Sequence, residues 1–156
     1  MSSSFDLENV DAFICGCEGP PGARVFFLQA TGENYVVTLR CEKQHVSVLA
    51  DYLEGIIGIM DHDGDAEPMG ELVTPVIAEW VVGAIMVGVD PSESQVIVIA
   101  EEFGDDTTAT AKFTLTTEQV ASFIDGARQL VAAGRPTCEF CNRPYIPGQH
   151  VCPAMN

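Results

Sequence analysis

The chain contains two stretches in which three short apolar runs are followed by a segment of helical periodicity. In the first stretch the runs are 11–17, 24–30 and 35–41, which are rich in β-branched and aromatic residues and are separated by turn-forming residues. This pattern predicts three antiparallel strands joined as a meander. Apolar residues then recur at spacings of three and four from Lys43 onward, which predicts a helix on which the buried side chains are Val46, Leu49, Leu53, Ile56 and Ile57.

The second stretch repeats this order. Its apolar runs are 79–89, 95–103 and 108–115, and each pair is separated by a turn rich in Asp, Ser or Gly. A helix is predicted to begin at Thr116 or Thr117, either of which suits an N-cap, and to end at Gly134 as its C′ residue. Its apolar face consists of Val120, Phe123, Ile124, Ala127, Leu130 and Val131.

The two stretches can be aligned with each other. An offset of 74 residues places Val46 on Val120, and an offset of 71 places Val25 on Val96. The sequence therefore predicts an α+β domain over residues 1–134, built from two pseudo-symmetric β-β-β-α halves, about 11–60 and 79–134. The helices would pack on one sheet face or between two sheets. The alternative is that any two strand-strand-helix segments align this well.

A tail over residues 135–156 carries the clearest chemical pattern. Cys138 and Cys141 form a CxxC pair, and His150 and Cys152 follow within fifteen positions. Three thiolates and one imidazole make a complete tetrahedral Zn²⁺ site. Because no position is left for water, the site is predicted to be structural rather than catalytic. Metal binding would also order a proline-rich segment that has too few apolar residues for a core.

The net charge of −16 restricts the class of partner. Arg135, Arg143 and Glu139 are the charged residues of the tail, so the acidic excess lies in the preceding domain. Such a surface repels nucleic acid and anionic lipid. We therefore predict binding to neither of them, although small zinc modules often bind nucleic acid.

Three other cysteines and one acidic turn allow further metal sites, each with a simpler interpretation. Cys15, Cys17 and Cys41, with His45, form a conceivable second site, but small core residues are the favoured interpretation. The stretch 61–65 (Asp-His-Asp-Gly-Asp) resembles part of a calcium loop. It lacks the glycine and glutamate spacing of an EF-hand and is interpreted as a solvated turn.

No stretch of 18 or more apolar residues is present, so no transmembrane helix is predicted. The first residues lack the basic and apolar regions of a secretory signal. We therefore expect a cytoplasmic protein, in which the cysteines are thiols or metal ligands rather than disulfides.

Several segments together resemble a known family. These are 19–24 (Gly-Pro-Pro-Gly-Ala-Arg), 113–116 (Phe-Thr-Leu-Thr), and 131–136 (Val-Ala-Ala-Gly-Arg-Pro) leading into the CxxC and HxC tail. The chain is similar to an actinobacterial family of cytoplasmic repeat proteins catalogued as a domain of unknown function. The resemblance implies no established enzymatic activity. It also implies protein partners, either a ParA-type ATPase or the kinase-like and phosphatase-like proteins encoded nearby.

Two functional hypotheses follow. The first is a non-enzymatic protein-interaction or regulatory module in which zinc is a structural cofactor. The second is an enzyme or small-molecule binder with a pocket between the halves, linked through the resemblance to phosphoryl chemistry. No catalytic residue can be assigned. The polar residues expected in such a pocket are Glu18, Arg24, Arg40 and Glu79.

Overall fold

The computed structural model describes residues 2–20, 22–58, 67–90, 92, 94–105 and 109–133. The fold of this part is mixed α+β. The elements in chain order are β1 (Phe5–Leu7), β2 (Ala12–Glu18), β3 (Val25–Thr31), β4 (Val36–Cys41), α1 (Lys43–Ile57), β5 (Val82–Asp90), β6 (Gln95–Glu102), β7 (Thr110–Leu115) and α2 (Thr117–Ala132).

The strands form two sheets. The first sheet has the order β2-β3-β4 and is antiparallel, and the second sheet has the order β1-β7-β6-β5. Both predicted meanders are confirmed, with strand boundaries shifted by up to three residues. The sequence pattern did not predict β1, a three-residue strand that pairs parallel to β7 and makes the second sheet mixed.

The two helices pack against each other and contact both sheets. Helix α1 contacts β5 and β3, whereas α2 contacts β2 and β6. Between the helices, Arg128 binds Asp51 at 2.6 Å and Glu54 at 2.7 Å, and these two hydrogen bonds raise the pKa of the guanidinium. A single apolar core therefore includes residues from both sheets and both helices.

Local side-chain bonds fix where each helix begins. Thr116 is the N-cap of α2: its hydroxyl accepts from the Gln119 N–H at 3.2 Å, and Gln119 Oε1 accepts from the Thr116 N–H at 3.0 Å. This capping box confirms the predicted start. At the start of α1, Nδ1 of His45 accepts from the Glu42 N–H at 3.0 Å. The predicted C′ residue, Gly134, and the acidic turn 61–65 lie outside the described residues.

The sheet register corrects one detail of the predicted alignment. Leu28 pairs with Leu39 in the first sheet, and Val98 pairs with Phe113 in the second. If Leu39 is matched to Phe113 by the offset of 74, Leu28 falls on Val98, which is an offset of 70. The predicted offset of 71 is therefore wrong by one residue. Since side chains alternate between the two faces of a sheet, an offset of 71 would match a core-facing residue of the first sheet with an outward-facing residue of the second.

Residues 67–81 connect the halves by wrapping around the first sheet, and we call this segment the strap. Near its start, Met69 lies against Gly126 of α2, and its sulfur is 3.5 Å from the backbone nitrogen of Cys15 on edge strand β2. Leu72 then lies on the far side of the sheet, directly over Gly16. A Cβ atom at Gly16 would come within 2.5 Å of the Leu72 side chain, so glycine is needed there for close packing.

A buried glutamine holds the middle of the strap. The Gln29 side chain accepts from the Val73 N–H at 2.8 Å and donates to the Val73 carbonyl at 3.2 Å and to the Thr38 hydroxyl at 3.0 Å. Further along, the Glu79 N–H donates to the Thr38 carbonyl at 2.7 Å. The strap therefore covers the face of the first sheet that points away from the helices.

Candidate interaction surfaces

The four predicted zinc ligands, Cys138, Cys141, His150 and Cys152, lie outside the described residues. Within the described ranges, no group of three or more His, Cys, Asp or Glu side chains is arranged to hold a metal ion. The zinc site thus stays a prediction. The other candidate functional side chains lie at separate places in the described fold.

The remaining cysteines are associated with the core. Cys15 and Cys41 are buried members of the core cluster, and Cys17 packs against it. Burial raises the pKa of each buried thiol to about 12, so both are protonated and unreactive at neutral pH. Nδ1 of His45 accepts the hydrogen bond at the start of α1. This supports the interpretation of these cysteines as small core residues.

None of the four residues named for a pocket between the halves lines one of the three clefts described below. Glu18 ends β2, Arg24 precedes β3, Arg40 lies on β4 and Glu79 lies on the strap. Three clefts among the described residues, with volumes of about 240, 560 and 320 Å³, are lined by other side chains. Arg24 alone shows an unusual feature, because its Nε is buried without a hydrogen-bond partner in the described part of the chain.

An apolar surface lies where the two sheets meet. The Phe103 N–H donates to the Val81 carbonyl at 2.7 Å, and Val81 forms a parallel bridge with Arg40 of the first sheet. Phe103 and Ile77, four residues before Val81, are each 71% exposed, and Val81 is 42% exposed. We call these three exposed side chains the junction surface, within which Phe103 and Val81 are joined by the backbone hydrogen bond and Ile77 lies on the same segment as Val81.

Acidic side chains follow the same two segments. Glu79 lies between Ile77 and Val81, and Glu101 and Asp105 flank Phe103, all three exposed. The junction surface therefore combines exposed apolar groups with three carboxylates and with the exposed guanidinium of Arg40, the bridge partner of Val81. An aromatic side chain that is so exposed contributes little to the core and is available for contact with another molecule.

A second uncovered area lies on the second sheet. Its outer face, on the side opposite the core residues of β6 and β7, includes Met86, which is 46% exposed, and the half-buried side chains of Ile97 and Ile99. β5 is the edge strand of this sheet and carries no charged residue from 82 to 89. Long uncharged edges are usually protected in soluble proteins, and no described segment covers this one beyond Val82.

The sequence reasoning missed both surfaces. Phe103 was assigned to the end of a strand, and its position just before Gly104 and Asp105 was the available signal of exposure. The strap was not predicted either, and the one signal for it was Gln29, a polar residue inside the apolar run 24–30. No helix in the described residues is both long and apolar enough to cross a membrane.

A comparison with protein families gives one match. The model of a family described as protein of unknown function (DUF3090) matches residues 5–152, which is nearly the whole chain and includes the four predicted zinc ligands. Neither a curated protein nor a solved structure matches the chain significantly.

Proposed function

The chain belongs to the family described as protein of unknown function (DUF3090), and from that premise we propose that it is a non-enzymatic protein-interaction or regulatory module of the cytoplasm, stapled by a structural zinc ion. The observation that carries this proposal is the junction surface. Phe103 and Ile77 are the most exposed large apolar side chains described, and both belong to segments held by backbone hydrogen bonds to the sheets.

The chemistry of the junction surface indicates what kind of partner fits it. Exposed apolar side chains beside Glu79, Glu101 and Asp105, with Arg40 opposite Val81, on a chain of net charge −16, suit a protein surface with an apolar pocket and a mainly basic rim. Electrostatic complementarity of this kind speeds association and suppresses the wrong partners. The ParA-type ATPase and the kinase-like protein implied by the sequence resemblance are the partners that we propose to test.

Replacing Phe103 by Ser is expected to weaken partner binding by about tenfold or more, which is the effect of losing an aromatic anchor. Isothermal titration with the purified ParA-type ATPase and with the purified kinase-like protein of the same organism would measure it. Binding of the wild-type chain should also weaken as salt is raised, because the rim is charged.

The matched control is Val36→Ser, which removes another exposed apolar side chain, 45% accessible, at the opposite end of β4 from Arg40. This variant should bind as the wild type does. Equal losses in both variants, or a Phe103→Ser protein that binds normally, would refute the junction surface as the docking site.

Zinc is proposed as a staple of the tail. Cys138, Cys141, His150 and Cys152 offer four ligands, and four protein ligands leave no open position for catalysis. The described core residues lie between Val10 and Ala127, and we propose that this core folds without the metal.

Metal analysis of the purified chain is expected to give about one zinc per molecule, as a four-ligand site requires. Cys138→Ser should lose the metal and increase amide exchange in residues 135–156, while the thermal transition of the domain is retained. Cys17→Ser is the control, because Cys17 packs against the core and should not affect metal content. Full zinc occupancy in Cys138→Ser would exclude the predicted ligand set.

We further propose that the two β-β-β-α halves are related by a pseudo-twofold axis, as expected of a repeat protein. The order β2-β3-β4-α1 followed by β5-β6-β7-α2 supports this, as does the side-chain bond that each helix makes from its third residue back to its N-cap.

A second candidate function is the binding of a small anionic ligand, in keeping with phosphoryl chemistry. Its specific support is Arg24, whose buried Nε has no partner among the described residues. Guanidinium groups bind phosphate through paired hydrogen bonds. Since Arg24 lines none of the three clefts described, this function stands second to protein interaction.

A further inference from the structure

The outer face of the second sheet has no cover in the described part of the chain, and we propose that residues 134–156 cover it in the way that the strap covers the first sheet. The proposal concerns a contact within one chain. It depends neither on the partner of the junction surface nor on the identity of a metal.

The hydrogen-bond registers define which positions of the two sheets correspond. With Leu39 matched to Phe113, Leu28 corresponds to Val98, as derived above. Cys15 pairs with Leu28 and Val87 pairs with Val98, so β2 and β5 correspond with an offset of 72. The offsets are thus 72 between β2 and β5, 70 between β3 and β6, and 74 between β4 and β7. Each of them matches core-facing residues of the first sheet with core-facing residues of the second.

These offsets match the covered face of the first sheet to the uncovered face of the second. Gly16, the residue under Leu72, corresponds to Gly88, where an added Cβ would meet no atom of the described residues within 4 Å. The four side chains around Gly16 are at most 6% exposed, whereas Met86 is 46% exposed and its three neighbours are only half-buried. The matched sets are Ile14, Phe27, Gln29 and Thr38 on the first sheet, and Met86, Ile97, Ile99 and Lys112 on the second.

The clefts at the two sheet edges correspond in the same way. The cleft beside β2 is lined by Phe13, Gln119 and Ser122, together with strap residues 67–70. The cleft beside β5 is lined by Ile85, His45 and Val48, and no strap residue lines it. Ile85 corresponds to Phe13 under the offset of 72, and His45 and Val48 correspond to Gln119 and Ser122 under the offset of 74. The strap passes the first edge, so a second segment is expected to pass the other.

An exposed aromatic side chain marks the entry to the second edge. Gly126 of α2, against which Met69 of the strap packs, corresponds under the offset of 74 to Tyr52 of α1. Tyr52 lines the cleft beside β5 and is 53% exposed. An exposed tyrosine beside an apolar edge is the type of residue that a covering segment buries.

Residues 134–156 are the segment of this chain that fits. They follow α2 as residues 59–81 follow α1, and Ile146 stands 74 positions after Leu72. Ile146 is therefore assigned to the open position over Gly88. Charge allows the same occupant, because Arg135 and Arg143 against the single Glu139 leave the segment without the acidic excess of the domain.

Photochemical cross-linking of the full-length chain tests this placement. Lys112 lies on the outer face, and Lys43, at the start of α1, is the other lysine of the sequence. A lysine-attached diazirine on Lys112 is expected to insert into residues 144–151 of the same molecule. Mixed isotopically light and heavy protein separates products within one chain from products between two. Insertion into Asp6, which pairs with Lys112 on β1, shows that the reagent is active there.

Gly88→Val provides the second measurement. Beneath a packed segment the added side chain should displace residues 144–151, so that most of the Lys112 product is lost and the melting temperature falls. On an uncovered strand the same change should be neutral or stabilising, because valine is the better strand former. Val36→Phe, an enlargement at an exposed strand position on the first sheet, should leave the product unchanged.

Three outcomes would overturn the proposal. The first is the absence of a product between Lys112 and residues 134–156 while the Asp6 product forms. The second is a product found only between light and heavy chains, which would assign the face to a second copy. The third is a Gly88→Val protein that keeps the full yield of the product and melts no lower than the wild type.

Discussion

Replacing Phe13 by Ala is expected to destabilise the domain by about 3–5 kcal/mol, which is the usual cost of deleting a fully packed aromatic side chain. The Phe13 ring lies 5.0 Å from that of Phe113 and 5.0 Å from that of Phe123. It thereby joins the first sheet to the second sheet and to α2. Since a small domain is stable by roughly 5–15 kcal/mol in total, the variant should be near its unfolding midpoint under mild denaturing conditions.

Urea unfolding followed by circular dichroism would measure this loss. Phe13→Leu keeps most of the volume but removes both ring contacts, so its expected cost is lower, at about 1–3 kcal/mol. Phe103→Ala deletes the same side chain from an exposed position and should change stability by less than about 0.5 kcal/mol. Similar losses for Phe13→Ala and Phe103→Ala would contradict the packing described for the two sheets.

The order of strands and helices was predictable because each element carries its own local signal. A continuous apolar run marks β3, the alternation of apolar residues marks β7, and Thr116 with Gln119 marks the start of α2 through a bond formed within four residues. The pairing of β1 with β7 was not predictable, since three residues carry too little pattern and their partner is more than 100 positions away.

The surfaces were harder to predict than the core. Residues 67–81 contain no regular period, and their path is set by contacts with distant residues such as Gly16 and Gly126. Sequence reasoning also named Glu18, Arg24, Arg40 and Glu79 as polar residues of a pocket between the halves, with no motif or spacing that relates them. None of the four lines one of the three clefts described. The zinc ligands are the opposite case, because their spacing carries the prediction without any knowledge of the fold.

Replacing Gln29 by Leu is expected to cost about 2–3 kcal/mol, although leucine is apolar and similar in size. Gln29 is only 1% exposed and makes three hydrogen bonds, two to the backbone of Val73 and one to the Thr38 hydroxyl. Leucine would leave these groups without partners, and an unsatisfied buried polar group costs about 1–3 kcal/mol. Thr38 is itself 2% exposed, so water does not readily replace the lost amide.

The location of the damage distinguishes this loss from a general weakening of the core. Hydrogen exchange should accelerate first in residues 67–81, because Gln29 holds the strap, while the amides of β6 and β7 keep their protection until global unfolding. Thr38→Val removes one of the three bonds and should cost about 0.5–1.5 kcal/mol. In the double variant Gln29→Leu with Thr38→Val, the cost should be less than the sum of the two, because the hydroxyl that leucine leaves unpaired is then absent. Additive losses, or uniform acceleration across both sheets, would show that Gln29 acts through general packing. Loss confined to the strap would instead establish that one buried amide decides whether the outer face of the first sheet is covered.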